Sequence, residues 1–258
     1  MTNVVLLLGD AARWLRIEDG AIVARGDGFS PEMPDEVRVV AVVPAREVAV
    51  HQANLPNLSE PQARAAARLL VAEQSAGASD GLHIAIGPEG ANGDRTIVAI
   101  EAAHMARHLA ELATLGIDPD AMLAAPLLLP RPTEGWLRGD LGEEVVVRGR
   151  DAAFADDAVL TPMVTGGAAV VDLDHDALEA AVVAAAETPE VDLRQPPFAK
   201  LRRWSIDWPL VRRLAVLGLL LATATLAVEI VTIAKLNATA DRIEAANAIR
   251  ARAALPPG

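Results

Sequence analysis

The sequence predicts an α/β or α+β body of about 195 residues followed by a single membrane-spanning helix. Three observations predict it. Short β-branched runs bounded by Gly, Asp or Pro alternate with helix-patterned stretches through the first 187 residues. The longest apolar run, residues 214–234, holds a single charge, Glu229. The charge is also split: residues 1–199 carry 14 Arg and no Lys against 31 Asp and Glu, a net −17, and residues 200–258 carry nine basic against four acidic residues, a net +5.

The elements follow in order. "VVLLL" at 4–8 and "VRVVAVVP" at 37–44 read as buried strands, with "RWLRIEDGAIVARGDG" between them as a hairpin turning at "EDG". A helix starts at Ser59, where Gln62 completes a capping box and Pro61 tolerates the first turn; it should stop near Gly77. "GLHIAIGPEGANGDRTIVAI" gives two strands joined by a Gly-rich turn, leading into the helix "EAAHMARHLAELATLG", which ends at Gly116. "EEVVVRGR" is a further strand, "VDLDHDALEAAVVAAA" a strand passing into a helix, and "ETPEVDLRQPPFAKLRRW" a Pro-broken linker.

At 258 residues and 52% hydrophobic content, the chain can bury one large core or two modest ones. With no cysteine it has no disulfides, no thiolate zinc site and no thiol nucleophile. An acidic body of this kind disfavours nucleic acid, whose phosphates are neutralised by Lys and Arg.

The 21 residues 214–234 suffice to cross about 30 Å of hydrocarbon as a helix. Arg202, Arg203, Arg212 and Arg213 precede the run, with Trp204 and Trp208 among them as interfacial anchors. The charges after the run nearly cancel, so the positive-inside rule puts the N-terminus, through about residue 212, in the cytoplasm and the C-terminus on the other side of the membrane. The organisation expected is a cytoplasmic body over 1–195, a basic juxtamembrane linker over 196–213, the span over 214–234 and, beyond the membrane, a helical stub over 235–258. Gly218, Ala222, Thr225 and Glu229 fall within about 60° on a helical wheel, a seam of small residues suited to helix–helix approach in a dimer or with another span. Glu229 lies about 8 Å from the outer end of the span, close enough to reach the interface.

Several chemical readings compete with plainer ones. Glu101, His104, His108 and Glu111 share one side of a helix, which permits a metal patch, but a polar outer face explains them equally. Asp172, Asp174 and Asp176 open with calcium-loop spacing, yet Ala177 and Val183 stand where such a loop needs Gly and Glu; Asp174 or Asp176 serves better as an N-cap. Neither a P-loop nor a dinucleotide fingerprint occurs, and "GPEGANG" reads as a hairpin turn. No metal, no cofactor and no catalytic set is expected.

Taken together, "VVPAREVAVHQANLPNLSEPQARAAARLLVAEQ", "DGLHIAIG", "LATLGIDPDAMLAAPLLLP", "GWLRGDLGEEVVVRG" and "VDLRQPPFAK", in this order and followed by one span, resemble protein L of the bacterial type II (general) secretion system. The resemblance implies an actin-like, ribonuclease H-like cytoplasmic domain that recruits the secretion ATPase, protein E, and anchors it to the inner membrane. It also implies partners in proteins M and F of the inner-membrane platform, and a homodimer. The resemblance puts the stub 235–258 in the periplasm, where the family carries a small ferredoxin-like domain; the sequence departs there, so either it is cut short or that domain is missing. An actin-like relative with ATPase activity would carry a D-x-G-T-like loop after its first strand. Here "GDAARW" follows, so no nucleotide hydrolysis is expected. The alternatives are an actin-like ATPase of a pilus assembly system and a membrane-tethered regulator; the latter predicts a small helical or zinc-bearing domain, unlike a strand-rich body without cysteine.

Overall fold

A computed structural model describes residues 2–29, 37–74 and 81–200, and, farther on, 212–213, 215–223, 225–226, 230–233 and 235. The chain divides into two units, Met1–Leu201 and Arg202–Gly258.

The first unit is built on two sheets. β1 (Thr2–Leu7), β2 (Arg13–Glu18), β3 (Ala21–Asp27), β4 (Arg38–Val43) and β8 (Ala121–Ala124) form a five-stranded sheet in the order β3-β2-β1-β4-β8. The first three strands run antiparallel, whereas β4 and β8 are parallel to β1. The hairpin between β2 and β3 turns at Asp19 and Gly20, whose φ values of 50° and 79° suit the left-handed pair that a two-residue loop requires.

The apolar runs of β1 and β4 are continuous because both faces of this sheet are covered. Val4, Leu6, Val39, Ala41 and Met122 face one cluster with Met105 and Leu112 of α2 (Ala102–Thr114). The alternate residues Val5, Val40, Val42 and Leu123 face another with Val182, Val183 and Ala186 of α4 (His175–Glu187). The two-residue period of a strand thus sorts one apolar run onto two helices.

The second sheet has seven strands. Besides β5 (Val48–Asn54), β6 (Leu82–Ile86) and β7 (Asp94–Glu101), it contains β9 (Trp136–Asp140), β10 (Val145–Gly149), β11 (Ala153–Ala155) and β12 (Val170–Asp172). Their order is β12-β9-β10-β11-β5-β7-β6. α1 (Glu60–Gln74) lies on β6 and β7 through Ala63, Ala67 and Val71, spaced four apart on one face and fully or nearly buried. At its start the Ser59 N–H donates to Gln62 Oε1 at 3.0 Å, and the Ser59 hydroxyl donates to the same oxygen at 2.7 Å. The glutamine half of the capping box is therefore made, while the hydroxyl donates where the motif would have it accept. The stop expected near Gly77 lies outside the described residues. A short α3 (Leu160–Thr165) ends at Gly166, φ 63°, a left-handed C-terminal glycine.

The segment after α4 departs from the linker reading. Val191 and Leu193 are 2% and 0% exposed. The Leu193 N–H donates to Met122 O at 2.7 Å, and Asp192 Oδ1 accepts from Met122 N–H at 2.9 Å, so the segment closes the β8 edge of the first sheet. Gln195 brackets Ile86 of β6, donating to its carbonyl at 2.8 Å and accepting from its N–H at 3.2 Å. Residues 196–200, expected to open the juxtamembrane linker, also pack on the body: Phe198 meets the His83 ring edge-on at 5.0 Å, and Lys200 pairs with Asp120 at 2.7 Å. The prolines end the helix, but the apolar side chains between them find room between two sheet edges. This strap fastens an edge strand of one sheet to an edge strand of the other.

His83 sits under the strap, 3% exposed, with Nε2 2.7 Å from Leu193 O. Burial lowers its pKa below the usual imidazole value; the Leu193 carbonyl opposes this, and Arg64 and Arg68 add to the lowering. The folded state therefore prefers neutral imidazole, and the unfolded chain takes the proton first. Stability is full above about pH 6.5 and falls as the pH drops through that value. Half-buried His51, also lowered by burial, acts in the same direction. Urea denaturation at pH 7.5 and 5.5 should show this loss in the wild type and a smaller one in His83→Gln.

In the second unit the described residues between 212 and 235 are helical and exposed. Thr223 and Thr225 donate their hydroxyls back to Leu220 O and Leu221 O, each at 2.9 Å. Among the described residues no helix is long and apolar enough to cross a membrane. Residues 214, 224, 227–229 and 234 of the expected span lie outside them.

Candidate functional site

A cavity of about 260 Å³ opens where β1 ends, between the first sheet, α4 and the turn joining β9 to β10. Leu7, Leu15, Ile22, Leu141, Leu178 and Val182 supply its apolar lining, and Arg13, Arg25, Asp140, His175 and Glu179 its polar and charged lining. Arg25 crosses it to Glu179, with Nη2 2.5 Å from Oε1, and His175 Nε2 is 3.0 Å from the same oxygen.

Beside this cavity the chain leaves β1 through Gly9, Asp10 and Ala11. The backbone N–H groups of Asp10 and Ala11 converge on Glu143 Oε1, at 2.6 and 3.1 Å. A Cβ at Gly9 would overlap the Glu143 carboxylate, so glycine is what lets that group approach. Converging backbone donors form an anion-binding arrangement, and here the anion is the chain's own carboxylate. Facing the turn, Gly142 has φ +95°, and a Cβ there would run into the Arg13 guanidinium.

Next to Glu143, half-buried Glu144 accepts from the Ala45 N–H with both oxygens at 2.9 Å. Burial raises its pKa, with the negative charges of Glu143 and Glu47 adding, against the Ala45 N–H and Arg46, which lower it. Glu144 does not line the cavity above; it borders a separate small recess with Arg13, Pro44 and Arg46.

The residues expected to form a polar outer face on α2 are arranged differently. His108 is 5% exposed and its Nε2 lies 2.7 Å from Glu47 Oε2. Arg107 Nη2 reaches Glu47 Oε1 at 2.7 Å, and His104 Nδ1 is 3.6 Å from Oε2. Burial tends to raise the Glu47 pKa, but the His108 hydrogen bond and the charges of His108, Arg107 and His104 outweigh it and lower the value. Glu101 and Glu111 stay exposed, 3.8 Å from His104 and His108. The helix spacing that aligned four residues was correct, but a glutamate some sixty positions earlier draws one of them, His108, into a buried hydrogen bond. Among the described residues no group of three or more His, Asp or Glu could hold a metal ion.

The aspartate triplet is also spoken for. Asp174 is the N-cap of α4, accepting from the Ala177 N–H at 2.8 Å, and Asp172 accepts a two-pronged contact from Arg138 at 2.5 and 2.9 Å. That contact lowers the Asp172 pKa and raises that of Arg138. Of the residues expected at the membrane, Arg212 and Arg213 are helical and exposed, as are Gly218, Ala222 and Thr225. Trp204, Trp208, Arg202, Arg203 and Glu229 lie outside the described residues.

Reading the sequence missed Glu47, Glu143, Glu144 and the pair in which buried Arg148 donates to the Glu190 carboxylate. Each partner is distant in sequence, and none belongs to a spaced motif that would have singled it out.

The order β3-β2-β1-β4-β8, three strands antiparallel and two parallel, makes this an α/β body with a cleft at the end of its first strand. A family model described as "Type II secretion system (T2SS), protein L" matches residues 31–195, and the chain belongs to that family. The structure is similar to the cytoplasmic domain of EpsL, an inner-membrane component of the type II secretion system of Vibrio cholerae. The TM-score is 0.61 at 16% identity, covering 77% of this chain and 100% of that one. Weaker likenesses are to a PilM–PilN type IV pilus biogenesis complex (TM-score 0.45, 14% identity, 60% of this chain and 61% of that one) and to a Bacteroides thetaiotaomicron protein with an actin-like ATPase fold (TM-score 0.36, 9% identity, 61% and 70%). No curated protein matches the sequence.

Proposed function

We propose that this chain is an inner-membrane scaffold of the type II secretion system. Its body recruits the secretion ATPase, protein E, and couples it to a platform containing proteins M and F. The observation that carries this reading is the protein L family match across residues 31–195. The similarity to the cytoplasmic domain of EpsL, an inner-membrane component, supports the location. The basic residues Arg202, Arg203, Arg212 and Arg213 before the apolar run support a single span with the N-terminus in the cytoplasm. Homodimerisation through the seam ending at Glu229 belongs to the same reading.

We also infer that the chain is not an enzyme. The turn after β1, where an ATP-hydrolysing actin-like protein holds phosphate, spends the Asp10 and Ala11 N–H groups on Glu143. The test is purification of the tagged full-length chain from detergent-solubilised membranes that also contain protein E. Protein E should copurify with the chain; its recovery only in the soluble fraction would overturn recruitment. Saturable ATP binding at micromolar concentration, with turnover, would overturn the non-enzymatic reading.

A further inference from the structure

α3 exposes more apolar surface than a short helix on a closed body needs. Val159, Leu160, Met163 and Val164 are 67%, 55%, 73% and 47% exposed, and Val171 of β12 is 59% exposed. The helix is nevertheless fixed in place. Thr161 and Thr165 face inward, each 8% exposed, and the Thr161 hydroxyl donates to Asp156 Oδ1 at 2.6 Å.

Four residues, 166–169, connect α3 to β12. Arg138 ties the two together, reaching Asp172 on β12 at 2.5 Å and Asp156 before α3 at 3.5 Å. β12 is the end strand of the seven-stranded sheet and pairs with β9 on one side, so its other main-chain edge is an end of the described sheet. Grouped exposed apolar side chains beside a sheet edge are the usual makings of a protein-binding surface.

The charge around the patch selects its occupant. Asp157 Oδ1 accepts from the N–H groups of Val159 and Leu160, at 2.8 and 2.9 Å, which places a carboxylate at the start of the patch. Asp172 on β12 beside Val171, and Asp174 and Asp176 at the start of α4 that follows, are exposed. Arg138, lying among them, is already engaged by Asp172 and Asp156. A second copy would bring the same acidic rim against this one, and a body carrying −17 overall would be repelled by an anionic surface.

We propose that α3 and β12 form a docking surface for a basic amphipathic segment of a partner protein. Its apolar side chains would lie on Leu160, Met163 and Val171, and its Lys or Arg side chains would meet Asp157 and the Asp172–Asp176 group. The inference goes beyond ATPase recruitment, because it assigns a surface and a partner chemistry without presuming which component supplies the segment.

The test uses the full-length chain with photoreactive benzoylphenylalanine at position 163. The probe is a fluorescent synthetic amphipathic helix of leucine and lysine, with its leucine–glutamate counterpart as control. The lysine peptide should crosslink at position 163 and bind the unsubstituted chain at least about tenfold more tightly than the control. The double variant Leu160→Ser, Met163→Ser should lose about tenfold in affinity for it while melting at the same temperature, since both side chains are exposed. Equal binding of the two peptides, or unchanged affinity in the double variant, would overturn the proposal. A crosslink to a second copy, or to the chain's own basic segment 200–213, would overturn it as well, by showing that this protein fills the surface itself.

Discussion

Leu193→Ala is expected to destabilise the body by about 3 kcal/mol, near the middle of the range for deleting a buried leucine side chain. Leu193 is 0% exposed and shares a core cluster with Val4, Ala85, Met122 and Ile100, which come from both sheets. Truncation leaves a cavity that the surroundings fill only in part, because the strap is held on either side by main-chain bonds to Met122 and by Gln195 on Ile86. The measurement is the urea midpoint of the full-length chain at constant m-value. A loss below about 0.5 kcal/mol, the usual range of a surface change, would show that the strap is a passive linker after all. Phe198→Ala should give a smaller loss in the same assay, since that ring is only partly buried against the same cluster.

Arg148→Met should cost about as much, roughly 3 kcal/mol, for an electrostatic reason. The Arg148 side chain is 3% exposed. It donates to Leu129 O at 2.5 Å, more weakly to Leu127 O at 3.4 Å, and to the Glu190 carboxylate. Methionine keeps much of the stem's volume while removing the charge and every donor, so a carboxylate and two carbonyls lose their partner. Glu190 also accepts from the Thr96 hydroxyl, which in turn accepts from Gln52 Nε2 at 2.8 Å, so the loss extends into β5 and β7. Glu190 is 31% exposed, and water reaching it keeps the cost at the lower end of what breaking a buried pair entails. If the network carries the effect, Arg148→Met combined with Glu190→Gln should recover part of the loss; strict additivity in this double-mutant cycle would count against it.

Much of the fold is legible from residue patterns, for local reasons. The runs around Val4–Leu7 and Val39–Val43 are strands because β-branched residues crowd a pleat favourably, and the pair Asp19–Gly20 bends the chain where two positive φ angles are needed. Asp174 before α4 and Gly116 after α2 mark helix ends by capping chemistry confined to one turn. The shorter strands β8 and β11 are harder to read, since three or four residues carry too little periodicity to separate a strand from a loop.

The candidate site was far less legible. His108 has the spacing of an outward polar residue, and only Glu47, 61 positions away, explains its burial. Glu143 reads as one acid in an exposed turn until the fold brings it to the N–H groups of Asp10 and Ala11, some 130 positions earlier.

The sequence by itself determined the element types, the acidic character of the body, the basic segment with its apolar run, and the family resemblance. These follow from composition and from interactions within a few residues, which spacing records directly. The tertiary structure alone decided which polar groups share a site and that the proline-rich segment after α4 is a strap. A partner's distance along the chain leaves no mark on local pattern, and the energy of a buried pair exists only once two sheets have closed around it.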